Sequence, residues 1–117
     1  MATSRDQVDP AVPPSGTGCF ECEEAGGWWV HLRRCALCGH VGCCDTSPGQ
    51  HATAHFQGTG HAVVQSFEPG EDWAWDYERS VGVIVPTLAP PTSRPVGQSV
   101  PGPVGRVPAD WQDHLHE

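Results

Sequence analysis

The fold of this chain is decided by Cys35-Ala-Leu-Cys-Gly-His-Val-Gly-Cys43 and by the helix-like stretch His51-Ala-Thr-Ala-His55 that follows it. An earlier Cys-x2-Cys knuckle occupies residues 19–22, and His61 closes the series. Two such knuckles are a strong zinc signal, because the short spacing lets two thiolates converge on one ion. Two histidines four residues apart share one face of a helix. Eight donors of these kinds are the number that two tetrahedral ions require.

The eight donors can be divided between two ions either sequentially or in an interleaved, cross-braced order. We favour the interleaved order, because it ties the first knuckle to the start of the helix and the second knuckle to its end. One zinc ion then takes Cys19, Cys22, Cys43 and His51, and the other takes Cys35, Cys38, His55 and His61. Four protein donors leave no open coordination position of the kind that catalytic zinc keeps, so the chain is predicted not to be an enzyme.

Two alternatives to this scheme are a disulfide framework and a single zinc ion with spare Cys and His. Disulfides need an oxidising compartment, and Met1–Gln7 lacks the apolar stretch of a secretory signal. We therefore expect a reducing, cytoplasmic location. Cys44 is expected to be a small buried residue rather than a reactive thiol. His31 and His40 are expected to pack around the sites, with His40 as a credible substitute ligand.

The charge of the chain excludes two classes of partner. Its 117 residues, enough for one domain, include 14 Asp and Glu against 6 Arg and no Lys, for a formal net charge of −8. This balance argues against a nucleic-acid binder and against adhesion to anionic membranes. Hydrophobic residues are only 38% of the chain, so zinc is expected to supply much of the folding free energy.

Proline marks the predicted boundaries, since ten of the twelve prolines lie outside residues 19–85. Residues 1–17 are predicted to be a disordered leader, 18–85 the metal-binding domain and 86–117 a Pro/Gly-rich disordered tail. The tail ends in Trp111–His116, which could form a short helical turn.

The predicted fold class is a small, zinc-stabilised α+β domain with a short antiparallel sheet, one main helix and two cross-braced zinc sites. The helix is predicted to run over His51–Gln57 and to end near Gly58 or Gly60, with Ser47 as its N-cap and Pro48 at its first position. Strands are predicted at Trp28–Leu32, Ala62–Phe67, Trp73–Tyr77 and Val81–Val85.

Several motifs resemble the UBP-type zinc finger over roughly residues 17–80. They are WVHLRRCALCGHVGC (29–43), HATAHF (51–56), HAV (61–63) and WAWDY (73–77). The resemblance implies two zinc ions bound in the interleaved order. It also implies a function, since ubiquitin-binding members of the family hold the free Gly-Gly end of ubiquitin in an aromatic pocket, where an Arg pairs with the terminal carboxylate.

The resemblance names four pocket candidates in this chain. The aromatic positions correspond to Trp29, Trp75 and Tyr77. Core packing is an equal alternative for Trp29 and Trp75, and packing or a surface position is favoured for Trp28 and Trp73. Asp45 stands where the family has its carboxylate-binding Arg, and two anions repel. This departure argues against ubiquitin as the ligand unless Arg33, Arg34 or Arg79 replaces the missing cation.

The predicted function is therefore that of a non-catalytic, zinc-binding interaction module whose partner is a protein or peptide C-terminus. Two alternatives stay open at this point. One is a thiol and zinc redox or metal-sensing switch, and the other is a zinc hydrolase, which would need an open metal position.

Overall fold

The computed structural model describes residues 8–9, 11–16, 18–68, 71, 73–85, 101–102 and 104–115. Five strands form one antiparallel sheet in the order β2-β1-β3-β4-β5. The predicted small α+β class, with a short antiparallel sheet and one main helix, is confirmed. The elements are α1 (Phe20–Ala25), β1 (Leu32–Cys35), β2 (Val41–Cys43), α2 (His51–Thr59), β3 (Val63–Ser66), β4 (Ala74–Asp76), β5 (Val81–Val83) and two 3₁₀ helices (Val104–Arg106 and Trp111–His114).

Helix α2 packs against one face of the sheet, at strands β2 and β1. A glycine makes this contact close: a Cβ on Gly42 would lie 2.7 Å from the backbone nitrogen of Ala52. Arg33 is paired with Gly42, so its side chain points to the same face as α2. The helix leaves the β3 and β4 part of that face open.

The core consists of two groups of buried residues. The larger group centres on Trp29, which is 1% exposed, and the smaller one joins Ala36 to Val63. Around Trp29 the buried neighbours are three large apolar residues and three cysteines, namely Leu32, Val41, Phe67, Cys19, Cys22 and Cys43. The metal donors of the first knuckle are thus part of the hydrophobic core.

The predicted strand over Trp28–Leu32 is wrong, because the regular strand begins at Leu32 and continues to Cys35. Upstream of it, Trp29 forms only an isolated bridge with Gly102. Two elements had no sequence prediction, α1 and β2. Helix α1 is held at its start by Cys19, whose sulfur accepts a hydrogen bond from the backbone of Cys22.

The N-cap prediction for the main helix is also wrong. Ser47 is buried, and its hydroxyl accepts a hydrogen bond of 2.8 Å from the backbone N–H of Val30. Gln50 occupies the N-cap with a left-handed backbone (φ 49°) and makes no side-chain cap hydrogen bond. The predicted end of the helix is confirmed at Gly60, whose φ of 79° suits glycine.

The other predicted strands are present but shorter. Strands β3, β4 and β5 lie within the predicted ranges 62–67, 73–77 and 81–85. The short helical turn suggested near the C-terminus corresponds to the 3₁₀ helix Trp111–His114. In the parts of the chain that the structure describes, no helix combines the length and apolar character needed to cross a membrane.

Described residues on both sides of the predicted boundaries contact the domain, and the boundaries at residues 18 and 85 stay a prediction. On the N-terminal side, the hydroxyl of Ser15 accepts a hydrogen bond of 2.9 Å from the backbone of Val41. On the C-terminal side, Trp29 and Gly102 exchange two backbone hydrogen bonds of 2.8 and 2.9 Å. The Arg106 side chain donates to the carbonyl of Gly27 (2.7 Å) and pairs with Glu23 (2.8 Å). We call residues 101–102 and 104–106 the C-terminal strap.

Candidate metal centres and ligand cavity

The structure brings the eight predicted donors together in two groups of four. Within each group the ligand atoms all lie within 4.8 Å of one another. Both groups follow the interleaved order along the chain. Cluster 1 is Cys19, Cys22, Cys43 and His51, and cluster 2 is Cys35, Cys38, His55 and His61.

The spacing inside cluster 1 fits a tetrahedral zinc ion. Zinc bonds of about 2.3 Å to sulfur and 2.0 Å to nitrogen imply separations of about 3.8 Å between sulfurs and 3.5 Å between sulfur and nitrogen. The sulfurs of Cys22 and Cys43 are 3.9 Å apart. The Nδ1 atom of His51 lies 3.2, 3.3 and 3.4 Å from the sulfurs of Cys19, Cys22 and Cys43.

Cluster 2 fits the same ion with a different choice of imidazole nitrogens. The sulfur of Cys38 is 3.3 Å from Nε2 of His55, and the sulfur of Cys35 is 3.6 Å from Nδ1 of His61. Cys38 is exposed, whereas the three cysteines of cluster 1 are buried. The two centres therefore have matching donor chemistry but different access to solvent.

Several of the cysteine sulfurs in the two clusters accept hydrogen bonds from backbone N–H groups. Cys19 accepts from the N–H of Cys22 (3.4 Å), and Cys43 accepts from the N–H of His51 (3.3 Å). Cys35 accepts from the N–H groups of Leu37 and Cys38, each at 3.4 Å. Such donors favour the thiolate, which is the form that binds metal.

The thiols of cluster 1 shift one another's pKa in opposite directions. Hydrogen bonds from Cys19 and Cys22 lower the pKa of Cys43 to about 2. The pKa of Cys22 is raised, because it shares hydrogen bonds with Cys19 and Cys43 and is buried. These opposite shifts arise from hydrogen bonds among the sulfurs, and zinc binding requires the thiolate form of all three.

In cluster 2, burial lowers the pKa of His55 to about 4, and the neighbouring His40 and His61 act in the same direction. The imidazole is therefore neutral at pH 7, as a metal ligand must be. Burial also raises the pKa of the Cys35 thiol.

Two further residues support the centres from outside. His40 does not belong to either cluster: its Nε2 lies 2.7 Å from a carboxylate oxygen of Glu21, and its ring stacks on His55 with centroids 4.1 Å apart. It thus links α1 to cluster 2. Cys44 is buried, and its sulfur lies 3.4 Å from the hydroxyl of Ser47.

A cavity of about 460 Å³ opens on the sheet face beside α2. Three of the four predicted pocket residues line it, namely Asp45, Trp75 and Tyr77, and the structure adds Arg33, Cys44, Thr46, Val64, Trp73 and Ser80. Trp29 is not among the residues that line this cavity: it is buried and belongs to the core group that includes the cysteines of cluster 1. A tryptophan in a sequence has the same signature in a core as in a pocket, so the motif could not separate the two roles.

The walls of the cavity are held by contacts with their neighbours. The Arg33 guanidinium lies 4.5 Å above the centre of the Trp73 ring and donates to the carbonyl of Leu32 at 3.0 Å. Tyr77 stacks on Phe56 of α2 with ring centroids 5.3 Å apart, and burial raises its pKa. These contacts hold the rings of Trp73 and Tyr77 in place.

Of the three arginines that could replace the missing cation, Arg33 is the one that lines the cavity. Arg34 is buried and donates to the carbonyl of Val12. Arg79 pairs with the buried carboxylate of Asp76 at 3.0 Å. Asp45 faces the same cavity as Arg33 and accepts a short hydrogen bond from the hydroxyl of Thr53.

Comparisons with known proteins agree with this arrangement. A family model described as the Zn-finger in ubiquitin-hydrolases and other proteins matches residues 19–88. The BRCA1-associated proteins of human and mouse are 32% identical over 65 residues, which is 56% of this chain and 10% of theirs. The chain thus matches about a tenth of the length of these relatives.

A solved structure extends the similarity. The solution NMR structure of protein RPA1320 from Rhodopseudomonas palustris is 48% identical and superposes with a TM-score of 0.58. The match covers 68% of this chain and 82% of that one.

Proposed function

Since the chain belongs to the UBP-type zinc-finger family, we propose that it is a non-catalytic binding module that holds a protein or peptide C-terminus in its aromatic cavity. The observation that carries this proposal is the meeting of Trp75, Tyr77 and Arg33 around one cavity. Aromatic walls offer apolar contact to a peptide end, and a guanidinium can pair with a carboxylate through two hydrogen bonds.

The zinc ions have a structural role in this proposal. The family binds zinc, and we assign cluster 1 and cluster 2 as the two sites. Each cluster offers four protein donors, so a bound ion keeps no position for a substrate or a reactive water. Structural zinc contributes about 10–16 kcal/mol in small finger peptides, enough to hold together a domain with so small a core. Thiolate ligands also favour a reducing compartment such as the cytoplasm.

Arg33 takes the role of the carboxylate-binding residue that Asp45 cannot fill. It reaches the cavity from β1 rather than from the loop after Cys43. Its position over Trp73 limits its rotamers, so little further ordering is required when a carboxylate binds.

The test is a tryptophan-fluorescence titration of the zinc-loaded chain with one Gly-Gly-ending peptide, made as the free acid and as the amide. We expect the free acid to bind about tenfold more tightly, which corresponds to one charge-assisted pair. Arg33→Gln should abolish this difference, and Arg33→Lys should retain part of it because the charge remains. Equal binding of both peptides, or no response to either, would overturn the assignment.

A redox or metal-sensing switch is a second candidate, and one observation favours it. Cys38 of cluster 2 is exposed, so an oxidant can reach one sulfur of that centre. Release of zinc by low peroxide, reversed by a reductant, would support the switch. Retention of both ions under conditions that oxidise free cysteine would exclude it.

A further inference from the structure

The walls of the cavity carry one positive and one negative side chain. A site that binds only a carboxylate does not need the negative one. Arg33 and Asp45 both line it, and both act electrostatically on the phenol of Tyr77. The two charged groups therefore lie within reach of one small ligand.

The Asp45 carboxylate is fixed in place, and among the described residues no cation forms an ion pair with it. Its Oδ1 accepts from the hydroxyl of Thr53, and the side chain of Gln50 donates to its backbone carbonyl at 3.0 Å. Both partners are neutral and come from the start of α2. Among the residues that the structure describes, no donor bonds to the second oxygen, Oδ2.

A cationic group of a ligand could pair with the Asp45 carboxylate on this wall of the cavity. An ammonium or guanidinium beside Trp75 and Tyr77 would meet the negative faces of two rings in addition to the carboxylate. The net charge of −8 adds a long-range attraction for positively charged ligands. A peptide end that carries only negative charge would instead be repelled by the carboxylate of Asp45.

We propose that this cavity selects peptide C-termini whose last or next-to-last residue has a cationic side chain. Arg33 pairs with the terminal carboxylate, and Asp45 pairs with the ammonium of lysine or the guanidinium of arginine. The methylene stem of that side chain lies along the aromatic wall. The inference rests on the proposed function, because it assigns a ligand class to the same cavity.

The experiment uses the zinc-loaded full chain and four acetylated free-acid peptides that differ only in the last residue: Gly, Lys, Gln or Glu. We expect the Lys peptide to bind about three- to tenfold more tightly than the Gln peptide, and the Glu peptide to bind most weakly. The Lys preference should shrink in 1 M NaCl, where charges are screened beyond about 3 Å.

Asp45→Asn tests the residue directly, since asparagine keeps an oxygen to accept from Thr53 while removing the charge. The variant should lose the Lys preference, and its binding of the Gly peptide should not weaken, since the negative charge beside the terminal carboxylate is gone. Glu24→Gln is the matched control: Glu24 is an exposed acid of α1, and the variant removes one negative charge, as Asp45→Asn does. It should keep the Lys preference.

The outcomes separate this inference from the proposed function. If no peptide binds, the proposed function fails, and the inference fails with it. If the Gly peptide binds but the Lys peptide binds no more tightly than the Gln peptide, only the inference fails. A Lys preference that survives in Asp45→Asn, or disappears in Glu24→Gln, would also overturn it.

Discussion

The close contact between β2 and α2 predicts that Gly42→Ala will weaken both the fold and cluster 1. The added Cβ would lie 2.7 Å from the nitrogen and 2.9 Å from the Cα of Ala52, whereas ordinary contacts begin near 3.4 Å. These neighbours are backbone atoms, so the strand and the helix have to separate by about 0.7 Å.

The separation of β2 from α2 also moves apart two donors of cluster 1. Cys43 follows Gly42 on β2, and His51 precedes Ala52 on α2. Their ligand atoms are 3.4 Å apart, a distance that already suits a shared zinc ion. The shift should therefore loosen cluster 1 more than cluster 2.

Overpacking of this kind costs about 1–3 kcal/mol. For a domain of this size, that should lower the melting temperature of the zinc-loaded chain by roughly 4–8 °C per kcal/mol. We expect a colorimetric chelator to remove zinc from Gly42→Ala at a lower concentration than from the original chain.

Gly58→Ala is the control for this substitution, because it lies in the same helix and its Cβ would meet no atom within 4 Å. It should leave zinc retention unchanged and stabilise the helix by up to about 1 kcal/mol. If Gly42→Ala matched Gly58→Ala in melting temperature and zinc retention, the close approach of β2 and α2 would not be what positions cluster 1.

Three further predictions follow from other contacts. Prolonged chelation at neutral pH should abolish the near-UV circular dichroism of the chain, since the cysteines of cluster 1 belong to the core around Trp29; a spectrum that persists after zinc is gone would contradict this. Ser47→Ala should lower the free energy of unfolding by about 1–3 kcal/mol in denaturant titrations, because the buried N–H of Val30 loses its acceptor; a loss below 0.5 kcal/mol, of the order of a surface substitution, would count against that role. Arg106→Gln should increase amide hydrogen exchange at Trp29 and Gly102, because the guanidinium contacts that support the C-terminal strap are lost; unchanged exchange would show that the backbone bridge holds the strap alone.

The metal centres were the most predictable part of the molecule from sequence. Their donors are limited to a few residue types, and a tetrahedral ion tolerates few spacings between them, so Cys35, Cys38 and the histidines of α2 carried most of the information. The choice between sequential and interleaved order rested on economy of connection, and the structure brings the donors together in the interleaved order.

The incorrect or missed predictions share a different cause: tertiary contacts override or define what the local sequence pattern suggests. Ser47 has the local sequence pattern of a helix N-cap. Its hydroxyl instead accepts a hydrogen bond from the backbone N–H of Val30, which lies in a distant part of the chain. Strand β2 has only three residues, too few for a periodic pattern, and pairing with β1 defines it. Sequence likewise offered Arg33, Arg34 and Arg79 without separating them, since which of them lines the cavity depends on which face of β1 turns towards α2.

One feature of the clusters bears on how the molecule loads its metal. Helix α2 contributes one donor to each cluster, His51 to one and His55 to the other, separated by a single helical turn. Binding of the first ion therefore orders the turn that presents the second histidine, while loss of either ion frees an end of the same helix. We expect the two ions to be taken up and released cooperatively, so that native mass spectrometry at half-stoichiometric zinc shows chains with two ions and chains with none, and few with one.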